Sequence, residues 1–114
     1  MNIALGADHA GYYLKEHLKT YLQQKGHVVS DCGTDSTEST DYPDYAVSAC
    51  TLVKDGKCEI GILVCGSGIG VSITANKVSG IRAANCFEPE HAKLSRQHNN
   101  CNVLTWASSA RPGA

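Results

Sequence analysis

No basic run or basic patch interrupts this sequence. Its 10 Lys and Arg residues are set against 11 Asp and Glu, and the formal net charge is −1. Nucleic-acid binding needs clustered positive charge to neutralise phosphates, so this balance argues against nucleic acid as a partner. No apolar run approaches the roughly 20 residues that cross a bilayer, so no membrane partner is expected. Met1 to Asp8 has no basic segment leading into an apolar one, so it does not read as a secretion signal. The expected compartment is the cytoplasm. Six cysteines, at 32, 50, 58, 65, 86 and 101, lack CxxC spacing. In that compartment they read as free thiols, mostly small buried hydrophobes, rather than as disulfides. With the five histidines they form no ligand-spaced pairs, so no metal is expected. Familiar phosphate signatures are missing too. No Gly-Lys-Ser/Thr completes a P-loop, and the glycines at 66, 68 and 70 are spaced GxGxG rather than GxGxxG. A tyrosine-phosphatase loop would need Arg six positions after Cys65, and position 71 is Val. No cofactor is expected.

What is present fits one compact domain of 114 residues. Ile3–Ala7 reads as a first strand, and Leu14, His17, Leu18, Tyr21 and Leu22 recur at helical spacing up to the stop at Lys25-Gly26. His27–Asp31 is a second strand, and Gly33 to Asp41 is a polar loop. Tyr42-Pro43 opens a helix to Lys54, and Ile60–Val64 is a buried third strand. Val71–Lys77 continues as helix, Ile81–Ala84 is a fourth strand, and a helix runs from Glu88-Pro89-Glu90 to about Arg96. Asn102–Leu104 is a short fifth strand. Strands alternating with helices predict an α/β fold, a Rossmann-like three-layer sandwich on a five-stranded parallel sheet. Residues 1–104 form the domain, and 105–114 are expected to be an unstructured tail.

Chemistry concentrates at Cys65-Gly66-Ser67-Gly68-Ile69-Gly70. This stretch ends a strand and opens a helix, where backbone N–H groups point outward and bind anions. The positive end of such a helix favours thiolate over thiol. Catalysis on an anionic small molecule is one reading; glycines placed for packing beside a core cysteine are the other. Asp8-His9 follows the first strand and is either a helix cap beside a surface histidine or part of the same rim. His98-Asn99 is equally open to a site role or to an exposed helix terminus.

Taken together the motifs are more specific. Gly6-Ala7-Asp8-His9-Ala10-Gly11, Thr40-Asp41-Tyr42-Pro43, Cys65 to Gly70, Ala75-Asn76-Lys77 with Gly80-Ile81-Arg82-Ala83, and Leu94 to Asn99 with Asn102-Val103-Leu104 occur in that order. In this order the chain resembles the type B ribose-5-phosphate isomerases, the family that includes the galactose-6-phosphate isomerase subunits. The resemblance implies metal-independent aldose–ketose isomerisation of a sugar phosphate, most directly ribose 5-phosphate to ribulose 5-phosphate, through an enediolate. It implies Cys65 as the base, and Gly66, Ser67, Gly68, Ile69 and Gly70 as the loop that stabilises the enediolate oxygens. His98 would be the acid that opens the furanose ring, with Asn99 beside it as a substrate contact. Asp8 and His9 would hold the substrate, and Tyr42 would line the pocket. Family members are dimers or tetramers with the site shared between subunits, so a homodimer or homotetramer is expected.

The likeness fades after Leu104. The arginine the family places near position 109 is Ser109 here, and Arg111 precedes a proline. The family's C-terminal helices, with their phosphate-binding arginines, have no counterpart in this sequence. An alternative reading is therefore a weakly active or inactive sugar-phosphate-binding or partner subunit. A nucleotide-binding domain is a third, resting on the glycine turn and the βαβ pattern alone.

Overall fold

The computed structural model describes residues 1–33, 42–86 and 89–108. Its elements are β1 (Asn2–Ala7), a 3-10 turn (His9–Gly11), α1 (Tyr12–Gln24), β2 (Val28–Asp31), α2 (Tyr42–Lys54), β3 (Ile60–Cys65), α3 (Ile69–Asn76), β4 (Ala83–Cys86), α4 (Pro89–Asn99) and β5 (Val103–Ala107). The polar segment Thr34 to Asp41 and the tail from Ser109 lie outside the described residues.

All strand pairs are parallel, in the order β2-β1-β3-β5-β4. The chain steps one way from β1 to β2, reverses to β3 and β4, then returns to insert β5. Right-handed crossovers then put α1 and α4 on one face and α2 and α3 on the other. The contacts agree: α1 packs on β1 and β2, α4 on β4, and α2 on β1, β3 and α3. The expected α/β sandwich is therefore present.

The core lies mainly between the sheet and the α2–α3 layer. Ala4, Leu63 and Val103 from the strands meet Tyr45, Ala46, Ala49, Cys50 and Val53 of α2 and Val71 and Ala75 of α3. Small residues on α2 let that helix approach the sheet closely. Burial pushes the Cys50 thiol up to about 11, in keeping with a packing role.

Among the element ends that differ from the sequence expectation, three have a clear local reason. β4 begins at Ala83 rather than Ile81, because Ile81 N–H closes a turn on Val78 O and Arg82 N–H is taken by the Asn102 side chain at 2.9 Å. α4 runs past Arg96 to Asn99, and stops where Asn100 takes a positive φ of 49°. β5 continues past Leu104 to Ala107, so residues 105–107 belong to the sheet rather than to the tail. Pairing with β3 carries the ladder up to Cys65 opposite Ala107, and Ser108 N–H closes it on Cys65 O at 2.7 Å.

One buried charge braces the β2 edge. Lys15 has a fully buried side chain, and its Nζ donates to both Asp31 carboxylate oxygens at 3.1 and 2.9 Å and sits 3.1 Å from Glu16. Lys19 adds a contact to Asp31 at 3.2 Å. Burial alone pushes the Asp31 carboxyl up, but the hydrogen bonds from Lys15, the Gly33 N–H and Lys19 outweigh it and hold the group below its ordinary value. A carboxyl depressed on folding stabilises fully above its unfolded pKa of about 4 and loses that contribution as pH falls through the lowered value. Asp31→Asn is therefore expected to cost about 1–3 kcal/mol at pH 7. In urea titrations the gap to wild type should shrink steadily as the pH is lowered towards 3.

Candidate active site

Three strands deliver the site. In a parallel sheet the carboxyl ends of β1, β3 and β5 share one edge, and the chain reverses direction between β1 and β3, where such folds bind ligands. Asp8 leaves β1 there, Cys65 ends β3, and Ser108 leaves β5. The backbone ties them: Asp8 N–H donates to Val64 O at 3.3 Å and Ser108 N–H to Cys65 O at 2.7 Å. The Tyr45 hydroxyl also donates to Val64 O, at 3.3 Å. Sequence reading passed over Tyr45, since an aromatic inside a helix repeat looks like core; its ring is indeed 3% exposed.

Asp8 acts first as a cap. Its Oδ1 accepts from Gly11 N–H at 2.9 Å and starts the 3-10 turn that leads into α1. At 9% exposure it still borders the rim, so the cap and the site role are compatible. The His9 backbone lies in that turn. The side chains of His9 and Tyr42 are outside the described residues.

Cys65 is 7% exposed. The turn after it folds back so that Gly68 N–H donates to Cys65 Sγ at 3.1 Å. Ser67 Oγ accepts from Ile69 N–H at 3.2 Å, serving one donor of the opening turn of α3. Gly66 and Ser67 are exposed, Gly68 is buried, Ile69 is 53% exposed and Gly70 is half-buried. A thiol thus lies against a turn of backbone donors, an arrangement suited to a base beside a developing anion.

Gly68 is the turn's fixed point. Its φ is +77°, a left-handed conformation that suits glycine. A Cβ there would collide with Asn85 Oδ1 and come within 3.2 Å of the Ala107 nitrogen. Asn85, on β4, accepts from Thr105 Oγ1 on β5 at 3.1 Å. Neither residue stood out in the sequence: Asn85 lies just past the expected fourth strand and Thr105 at the start of the expected tail, and only the observed β4 and β5 take them into the sheet.

His98 and Asn99 are not brought to this rim. Both are exposed in the last turn of α4, which runs back from the carboxyl end of β4 to the amino end of β5. The adjoining residues confirm the place: Arg82, just before β4, donates from Nε and an NH2 nitrogen to Asn100 O at 3.3 and 3.2 Å. Within one chain, Cys65 and His98 stand at opposite ends of the sheet. Among the described residues no three His, Cys, Asp or Glu side chains are grouped to hold a metal ion, and no helix is long and apolar enough to cross a membrane.

Comparison with known proteins fits this architecture. The family model described as Ribose/Galactose Isomerase matches residues 3–111. The chain belongs to that family. It is 51% identical over 106 residues to ribose-5-phosphate isomerase B of Escherichia coli K12, covering 93% of this chain and 71% of that protein. It is 49% identical over 105 residues to the D-erythrulose-4-phosphate isomerase of Pectobacterium atrosepticum, covering 91% of this chain and 69% of that one. Among solved structures, ribose-5-phosphate isomerase B of Clostridium thermocellum superposes with a TM-score of 0.92 at 47% identity, covering 94% of this chain and 72% of that one.

The packing around Gly68 yields a test with an internal control. Gly56 has a similar φ of +78° but nothing within 4 Å of where a Cβ would stand. Gly56→Ala is expected to cost only the backbone term, about 1–2 kcal/mol. Gly68→Ala should cost measurably more in urea unfolding, because Asn85 and the β5 backbone must also yield.

Proposed function

We propose that this chain interconverts ribose 5-phosphate and ribulose 5-phosphate through an enediolate, with Cys65 as the base. The carrying observation is the Cys65 thiol at the carboxyl end of β3, with Gly68 N–H 3.1 Å from its sulfur. The identity to relatives named as sugar-phosphate isomerases supports the same reading. In the aldose-to-ketose direction the thiolate removes the proton from C2 of the open-chain sugar. The C1 carbonyl oxygen gains negative charge as the enediolate forms. The sulfur then returns the proton to C1, while the O2 hydroxyl proton passes to O1. Backbone donors of the Gly66–Gly70 turn are fixed before that charge develops, so little reorganisation accompanies the step. Asp8 and His9 lie at the adjoining strand end, where they hold the open-chain sugar, and Tyr42 lines the pocket.

We further propose that His98 and Asn99 serve the site of a second copy. The support is topological: α4 carries both to the amino end of the sheet, away from their own Cys65. A two-fold dimer that sets the end of α4 against the partner's rim gives each site one chain's thiol and the other chain's imidazole. His98 then opens the sugar ring, and Asn99 contacts the substrate.

Two measurements check these assignments. Cys65→Ala is expected to lower kcat for ribose 5-phosphate by about 10²–10⁴-fold, the usual worth of a positioned base; equal turnover in wild type and variant removes Cys65 from the mechanism. The same assay with erythrulose 4-phosphate places the substrate preference. For the shared site, Cys65→Ala and His98→Ala chains are each inactive alone. Refolded as an equal mixture, half the dimers are mixed and carry one intact site, which restores about a quarter of wild-type activity. No recovery on mixing means that the two residues do not meet in one site across a subunit interface.

A further inference from the structure

We infer that Asn85 and Thr105 form a positioning pair that sets the donor facing the catalytic thiol. The inference rests on Cys65 being the base and concerns how its geometry is held. Asn85 and Thr105 are direct partners in the β4–β5 register. Directly opposed residues of neighbouring strands present their side chains on one face, here the α3 face, where Thr105 Oγ1 donates to Asn85 Oδ1 at 3.1 Å. Thr105 is fully buried and Asn85 half-buried. A parallel sheet covered on both faces calls for apolar residues, and asparagine is disfavoured in strands. Two adjacent polar side chains at the carboxyl end of such a sheet break that rule together, and local rule-breaking of this kind concentrates at functional sites.

What they support is Gly68. The Asn85 carboxamide oxygen occupies the space where a side chain at position 68 would begin, and the Ala107 nitrogen closes the other side. The turn therefore rests on the carboxamide through the bare Cα of Gly68. The same residue sends its N–H to Cys65 Sγ at 3.1 Å. The linkage runs Thr105 hydroxyl, Asn85 carboxamide, Gly68 backbone, Cys65 sulfur. Thr105 holds the carboxamide in one orientation, the carboxamide sets the height of the turn, and the turn aims its N–H at the sulfur. Neither side chain is asked to touch the sugar, so substrate affinity is left largely alone. The N–H that steadies the thiolate is what moves when the support goes.

Thr105→Val keeps the shape and removes the hydroxyl, Asn85→Ala removes the support, and Thr105→Ser keeps the hydroxyl. Two readouts are taken: steady-state kinetics with ribose 5-phosphate, and the rate of iodoacetamide alkylation at Cys65 followed by peptide mass, with the other five cysteines as internal reference. Thr105→Val and Asn85→Ala are expected to lower kcat about tenfold, with KM within about twofold of wild type, as befits a misplaced catalytic group. Both should slow alkylation of Cys65 relative to the reference cysteines, and Thr105→Ser should restore both readouts. Wild-type values in Thr105→Val and Asn85→Ala overturn the inference. So does a Thr105→Ser chain as impaired as Thr105→Val, or a kcat loss that merely follows a lowered melting temperature with Cys65 alkylation unchanged. Alkylation is read without turnover, so failure of the isomerase reading and failure of the positioning pair are told apart.

Discussion

Gly68 N–H donates to Cys65 Sγ, and the rim is arranged around that contact. It forms only if the chain reverses within three residues of a strand end, which the left-handed φ of Gly68 provides. The reversal needs a firm strand end beneath it. Register supplies that: Cys65 is opposite Ala107, Ala7 is opposite Val64, and the Val64 carbonyl accepts from both Asp8 and Tyr45. Each interaction alone is modest, on the order of 1 kcal/mol. Their value lies in fixing one geometry, because a donor that must rotate into place during the reaction contributes less than one already aimed.

The amino end of the sheet is held as firmly, by different chemistry. The Asn76 side chain accepts from Ala83 N–H at 2.8 Å and donates to Ala83 O at 3.1 Å, tying the end of α3 to the start of β4. Asn102 does the same for the approach to β5, accepting from Arg82 N–H and donating to Gly80 O at 3.0 Å. Arg82 and Arg96 spend their guanidiniums on the carbonyls of Asn100 and Cys101. These are clamps on backbone groups that helix and strand ends leave without partners. They also stop α4 abruptly after Asn99. A stop braced from two sides presents His98 on a rigid base, which suits its proposed service to a neighbouring chain.

Much of this was legible in the sequence, and the gaps have physical causes. Periodicity located five strands and four helices, because a parallel sheet with two helical layers leaves strong apolar runs. The strand-end thiol and its glycine turn were legible from their order alone. Element ends were not, since side chains such as Asn76 and Asn102 set them through contacts remote in sequence. The length of β5 was hidden by Thr105 and Trp106, which look unlike a continuation of Val103-Leu104 until β3 is seen to pair with them. His98 was legible as chemistry but not as a place: motif order carries no information about which end of the sheet a helix terminus occupies.

Every helix between parallel strands returns from the carboxyl edge to the amino edge, so residues at strand ends and residues at helix ends belong to opposite poles. Asp8 and Cys65 are strand-end residues; Asn76, His98 and Asn99 are helix-end residues. Asn76 is occupied with backbone, which suits a pole given over to scaffold. His98 and Asn99 stand exposed at that same pole. The proposed acid and base roles require that imidazole and thiol meet the same substrate, and a single chain holds them at opposite ends of the sheet. On the proposed roles, the polarity of the βαβ unit turns a question about catalysis into one about assembly, because two copies of the chain are then the smallest unit in which both poles can meet.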